Sequence, residues 1–175
     1  MNNQNGPARP IAEAVTGETE PYPEGMTLDT QLCFALVAAS RAMTSCYRPL
    51  LTPLGLTHPQ YLAMLVLWER RSMAVGELGD RLQLRSATLS PILVRLEEAG
   101  FISRRRSSSD ARSVVVHLTP AGARLREAVE VVPPQLARAT GMTPAEIASL
   151  RDVLQVLTMR LRAAELRPSE SVEPS

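Results

Sequence analysis

The sequence predicts a mainly α fold with a small β-wing, and three observations carry that prediction. Two short apolar repeats of helical spacing stand back to back, Val75, Leu78 and Leu82 before Leu84, and Leu89, Ile92, Leu93 and Leu96 after it. The second repeat ends at Gly100, a residue that can take positive φ and stop a helix. Beyond it FISRRR and VVVHL read as strands, joined through SSSDAR, a polar turn-forming run. Helix, tight turn, helix and basic hairpin, in that order over residues 74–122, make a winged helix-turn-helix.

The remaining elements follow from composition and periodicity. Residues 1–25 are rich in Asn, Gly, Pro, Glu and Thr and poor in large apolar groups, so they are expected to form a disordered tail. A first helix is expected over residues 29–51, with Leu32, Leu36, Ala39, Met43 and Leu50 on one face, Asp29 as its N-cap, and Pro49 bending its last turn. GLTHPQ turns into a second helix over residues 59–70, with Thr57 or His58 at the cap and Tyr61, Leu62, Leu65, Val66 and Trp68 buried. Ser86 is the expected N-cap of the helix that carries Leu89. Ala74 and Gly76 give the preceding helix a weak start that packing must support. Thr119 can cap a long helix to about residue 140, interrupted or kinked by Pro133 and Pro134. The run Thr143, Pro144, Ala145, Glu146 is a capping box opening a last helix to about residue 166, and residues 167–175 form a second tail.

At 175 residues the chain suits one domain with an ordinary core. Its formal net charge is only +1, so any attraction for an anionic partner must be local. The hairpin supplies it: Arg104, Arg105, Arg106 and Arg112 against Asp110 leave about +3 by counting ionised side chains. Nucleic-acid phosphate is the matching partner. On the second helix of the unit Ser86, Ala87, Thr88 and Ser90 are small enough to approach base edges or phosphates, Arg95 can reach the backbone, and Arg85 adds charge at the helix start. Because Arg104, Arg105 and Arg106 alternate along a strand, only one or two of them face phosphate, with Arg104 and Arg106 the candidates. Cys33 and Cys46 form neither a disulfide framework nor a metal-ligand spacing, and no cofactor motif is present. No targeting segment precedes the fold, and the apolar runs LCFALVAA and YLAMLVLW are too short to span a bilayer, so the expected setting is the cytoplasm.

The apolar stripes of the end helices exceed what the small reading unit can cover. Dimerisation is the economical solution, and a monomer with a folded-back bundle is the alternative. The chain then divides into a domain over residues 26–166, with a DNA-binding lobe at 74–118 and dimerisation helices at 26–57 and 119–166. A dyad would set two reading helices about 34 Å apart on palindromic double-stranded DNA.

DARSVVVHLTPAG resembles the wing-to-helix signature of the MarR family, at Asp110, Arg112, Leu118, Thr119 and Gly122. LCFALVAASRAM, YRPLLTPLGLTHPQYLAMLVLWE and LGDRLQLRSATLSPILVRLEEAG are similar to its organic hydroperoxide sensing branch, the OhrR type, over residues 28–161. The resemblance implies a non-enzymatic repressor whose first-helix cysteine reduces an organic hydroperoxide and whose oxidation releases the homodimer from its operator. It assigns Arg112 to the minor groove, with Asp110 orienting it. Arg85 replaces the acid more usual in the branch, which implies a different operator.

By chemistry alone Cys33 lies near the start of a helix, where the dipole favours a thiolate, the form that attacks peroxide; an inert packing cysteine is the competing reading. Tyr47 is fourteen positions away, about 21 Å along one helix, so the two cannot meet within a subunit. They can meet across a dyad, and the resemblance implies that the tyrosine hydroxyl bonds the partner's thiolate. His58 stands where the branch usually has a second tyrosine; an imidazole can donate to a thiolate, or simply begin a helix. Cys46, about 20 Å from Cys33 and turned by about 140°, is a poor resolving thiol. Two-cysteine members carry theirs where this chain has Arg138 or a neighbour, so a low-molecular-weight thiol is the expected cap for oxidised Cys33. Two other readings stand beside this one: a winged-helix regulator of a small aromatic or lipophilic ligand with inert cysteines, and a thiol peroxidase, for which dithiol chemistry is missing.

Overall fold

A computed structural model of the chain describes residues 27–106 and 113–165. It divides into two compact units, one of Thr27–Ala139 and one that takes in the described residues from Thr140 onward. The larger unit contains α1 (Leu32–Leu51), α2 (His58–Arg70), β1 (Ser72–Ala74), α3 (Val75–Leu82), α4 (Ser86–Glu98), β2 (Ile102–Arg106), β3 (Val114–Leu118) and α5 (Pro120–Val129). The last of its helices, α6 (Val132–Thr140), ends at the boundary, and α7 (Pro144–Glu165) belongs to the smaller unit.

Helix α2 is the centre of the larger unit. Tyr61, Ala63, Met64, Val66, Leu67 and Trp68 are buried on it, and Gln60 is buried because its Oε1 accepts the Thr57 N–H at 2.7 Å, closing the helix start. Leu62 and Leu65 correct the expectation of burial: they remain 37% and 38% exposed, on the stripe turned away from the core. The core then runs through Met73, Leu78, Leu89, Leu93, Leu96, Ile102 and Val116. By contrast, α1 buries only Leu51, with Leu50 and Tyr47 packed partly against the core. Leu32, Phe34, Val37 and Met43 stand exposed. Asp29 is not its cap: it lies in a single 3-10 turn, Leu28–Thr30, and Gln31 precedes α1 without a capping side-chain bond. The Thr30 hydroxyl donates to the Thr27 carbonyl at 2.9 Å, a local bond that competes with an earlier helix start.

The turn between α3 and α4 is closed by Gln83 at φ 59°, with the Leu84 N–H donating to the Gly79 carbonyl at 2.9 Å. Arg85, not Ser86, is the N-cap of α4, and it caps with no side-chain bond; Ser86 is the first helical residue. At the other end Gly100, at φ 75°, donates to the Glu97 carbonyl and Phe101 to that of Leu96, the paired bonds of a Schellman motif. The sheet has the order β1-β3-β2 and is antiparallel, with Arg104 opposite Val116 and Met73 opposite Val116 on the other side. The three-residue β1 was not anticipated from sequence. The wing tip, residues 107–112, with Asp110 and Arg112, lies outside the described residues, as do the two tails.

Thr119 accepts the Gly122 N–H at 3.0 Å and caps α5. A side chain at Gly122 would overlap the Phe101 carbonyl oxygen, so only glycine lets α5 leave the sheet this closely. The expected long helix is divided into α5 and α6, with Pro133 and Pro134 in the first turn of α6, where their missing N–H groups cost least. In the smaller unit the Glu146 carboxylate accepts from Thr143 N–H (2.7 Å) and hydroxyl (2.8 Å), completing the capping box. Those bonds hold the Glu146 carboxyl below its ordinary range. Val153, Leu154, Val156, Met159 and Leu161 of α7 are exposed.

Candidate nucleic-acid interface and thiol site

The reading surface is built from the part of α4 that its own core leaves free. Leu89, Leu93 and Leu96 face inward at helical spacing, which turns Ala87, Thr88 and Ser90 outward, while Ser86 is open as the first residue of the helix, and all four are exposed. Arg85, at the N-cap, is exposed beside them. The side chains are short, so the backbone amides of the first turn remain reachable by a phosphate oxygen. Arg95 is exposed on the last turns and pairs with Glu98 at 3.0 Å.

Beside α4, the base of the wing carries three consecutive arginines that the structure distributes unequally. Arg105 and Arg106 are exposed. Arg104 is half-buried, and the Glu97 carboxylate receives its backbone N–H (2.8 Å), its Nε (2.8 Å) and an Nη nitrogen (2.7 Å). Those hydrogen bonds hold the Glu97 carboxyl below its ordinary range. Sequence reasoning missed this pair, because seven residues across a turn is neither a helix nor a strand spacing.

At the other end of the larger unit the candidate redox residues separate into two places. Cys33 is exposed in the first turn of α1, and Cys46, also exposed, lies near its end. Tyr47 meets His58 with ring centroids 4.4 Å apart and Tyr61 at 5.7 Å, and Tyr61 meets Trp68 edge-on at 6.3 Å. The structure therefore brings Tyr47 and His58 together, where α1 hands over to α2, and leaves Cys33 about 21 Å along the helix from Tyr47. Burial raises the Tyr47 phenol above its usual value, with Tyr61 adding to it, so it remains a proton donor at neutral pH. Burial also lowers His58, which makes its neutral form dominant near pH 7 and disfavours an imidazolium partner for a thiolate.

Tyr61 and Trp68 also floor a cavity of about 410 Å³, completed by Leu65, Val129 and Pro133 with Glu69, Arg126 and Glu130. The Trp68 Nε1–H donates to the Gly122 carbonyl at 2.8 Å, tying α2 to the start of α5. Among the described residues no group of three His, Cys, Asp or Glu side chains could hold a metal ion, and no helix is long and apolar enough to cross a membrane.

Residues 56–114 match the profile of the MarR family. An organic hydroperoxide resistance transcriptional regulator of Bacillus subtilis (strain 168) is 43% identical over 132 residues, 75% of this chain and 90% of the relative. The HTH-type transcriptional regulator TtmR of Methylorubrum extorquens (strain PA1) is 41% identical over 158 residues, 90% of this chain and 79% of that protein. Among solved structures, overoxidized AbfR bound to DNA superposes with a TM-score of 0.65 at 34% identity, covering 77% of this chain and 94% of that one. AbfR is a protein of Staphylococcus epidermidis.

Proposed function

The chain belongs to the MarR family of DNA-binding transcriptional regulators and is not an enzyme, and from that premise we propose that it is a homodimeric repressor released from DNA when an organic hydroperoxide oxidises Cys33. The observation that carries this reading is the exposed Cys33 in the first turn of α1, beside Leu32, Phe34 and Val37, apolar side chains that the single chain leaves uncovered. A second copy crossing antiparallel over α1 covers them and brings the partner's Tyr47 to Cys33, a reach that one subunit does not have. The phenol, kept protonated by its burial, then donates to the thiolate.

In the reaction the Cys33 thiolate attacks the terminal peroxide oxygen, the O–O bond breaks, and a proton goes to the departing alkoxide. The products are a sulfenic acid and an alcohol: sulfur is oxidised by two electrons and the hydroperoxide reduced. A low-molecular-weight thiol then condenses with the sulfenic acid, giving a mixed disulfide and water. Either product places new bulk and polarity at the crossing of the two α1 helices. For the DNA complex, Arg85, Ser86, Ala87, Thr88 and Ser90 of α4 meet the major groove, while Arg105, Arg106 and the tip residue Arg112 serve the backbone and minor groove. The 43% identical hydroperoxide resistance regulator supports the peroxide reading, and the AbfR complex supports DNA binding by this fold.

The test uses an operator selected from a random duplex pool by the reduced protein. One equivalent of cumene hydroperoxide per Cys33 releases wild type and leaves Cys33→Ser bound; equal release of both proteins removes cysteine sensing. The cavity floored by Tyr61 and Trp68 favours a second reading, an aromatic or lipophilic effector with inert cysteines, since its size suits a small ligand. Under that reading the Cys33→Ser protein keeps its full response to the natural effector.

A further inference from the structure

We propose that Glu97 is a positioning residue of the DNA-reading unit, locking β2 to the end of α4 and withholding Arg104 from DNA phosphates. This inference rests on the DNA-binding role alone and not on the peroxide reading, so no oxidant enters its test.

The hairpin leaves α4 through a single turn at Gly100. Ile102 and Val116 anchor the base of the hairpin in the core, and β3 is paired with β1. The Glu97 carboxylate adds an attachment farther along β2, between the strand and the last turn of α4. One oxygen accepts the Arg104 N–H, and the other accepts Nε and Nη of the same residue. In the order β1-β3-β2 the second strand is an outer one, and the Arg104 amide points from its open edge toward Glu97. The bond therefore satisfies an edge amide as well as a charge. The bond at Arg104 thus adds to the Gly100 turn, the buried Ile102 and the pairing with β3 in fixing the direction of the strand that carries Arg105 and Arg106.

The charge consequence is separate from the geometric one. An arginine whose Nε and Nη both lie against one carboxylate oxygen forms a neutral pair, and a phosphate that approaches it meets Glu97 as well as the guanidinium. Little counterion release is gained from such a pair. Arg105 and Arg106, for which no acidic partner is found among the described residues, carry the salt-dependent part of binding at the base of the wing.

The experiment measures binding of the reduced protein to the selected duplex and to an unrelated duplex, across about 50–200 mM KCl. Arg104→Ala made together with Glu97→Gln removes the neutral pair without leaving a net charge, and is expected to leave the salt slope unchanged and to weaken binding of the selected duplex about tenfold. Glu97→Gln keeps an oxygen for the Arg104 N–H but frees the guanidinium. It is expected to tighten binding of the unrelated duplex, steepening the slope by about 0.9 per protomer, and to narrow the preference for the selected one. Two results overturn the proposal. A slope shallower by about 0.9 per protomer in the double variant makes Arg104 a phosphate contact. Unchanged affinities for both duplexes in both variants leave the pair without a part in reading. Thermal unfolding checks that each variant is folded; should the double variant fail that check, Glu97→Gln decides alone.

Discussion

Helices α4 and α1 are both apolar on one face, yet the chain treats them oppositely. α4, with 13 residues, buries Leu89, Leu93 and Leu96 almost completely beneath α2 and the sheet, while α1, with 20 residues, buries only Leu51. Each leucine of α4 contributes roughly 1.5–3 kcal/mol by leaving water. Leu32, Phe34, Val37 and Met43 of α1, a third or more exposed, contribute correspondingly less to the lone chain. The contrast teaches that the reading unit is held by its own core, whereas the segment bearing Cys33 owes its environment to whatever covers it. A sensor placed in the second kind of region can change its surroundings without unfolding the first.

The sharpest way to break the comparison is to hollow the closed region. Leu96→Ala is expected to lower the unfolding free energy by about 2–5 kcal/mol, read by urea denaturation. A loss under about 1 kcal/mol would mean that the core relaxes into the gap and that α4 is less firmly held than its burial implies. The complementary change is made in the open region. Phe34→Ala and Val37→Ala together are expected to raise the dimer dissociation constant about tenfold in sedimentation equilibrium, with the far-ultraviolet spectrum of the dilute protein unchanged. An unaltered dimer would show that α1 is not the face that two copies share.

The smallest effect concerns the joint between the regions, where Tyr47 of α1 lies on His58 of α2. Burial depresses the folded-state value of His58 below its unfolded value of about 6.5. Its neutral form therefore stabilises the fold fully above that value, and the contribution is lost as pH falls through the folded value. In His58→Gln this part of the acid sensitivity is expected to vanish, seen as a smaller stability difference between pH 7 and pH 5. An identical decline in both proteins would assign it to the carboxylates.

Much of the architecture is legible in the sequence because it depends on neighbours along the chain. The periodicity of Leu89, Ile92, Leu93 and Leu96, the stop at Gly100, the Thr119 cap and the Thr143 and Glu146 box all involve residues within a few positions of each other, and each is found. The misses are of another kind. β1 is three residues long and exists through its pairing with β3, a partner more than forty positions away by sequence number. Leu62 and Leu65 have the composition of core residues, but which side of α2 faces inward is decided by the packing of the other elements. Asp29 and Ser86 missed as caps by one or two residues, since several small polar residues stood at each helix start. At the candidate site, the residue types on α4 were readable, but the Glu97 and Arg104 pair and the cluster of Tyr47, His58 and Tyr61 arise from tertiary contact.

The hydrogen bond from Trp68 to Gly122 has a practical consequence. This is the only tryptophan in the chain, and its indole bridges the central helix to the glycine that seats α5 against the wing. The protein thus carries a built-in optical gauge: the wavelength and intensity of its ultraviolet emission register whether that seam is shut or has parted, with no dye attached.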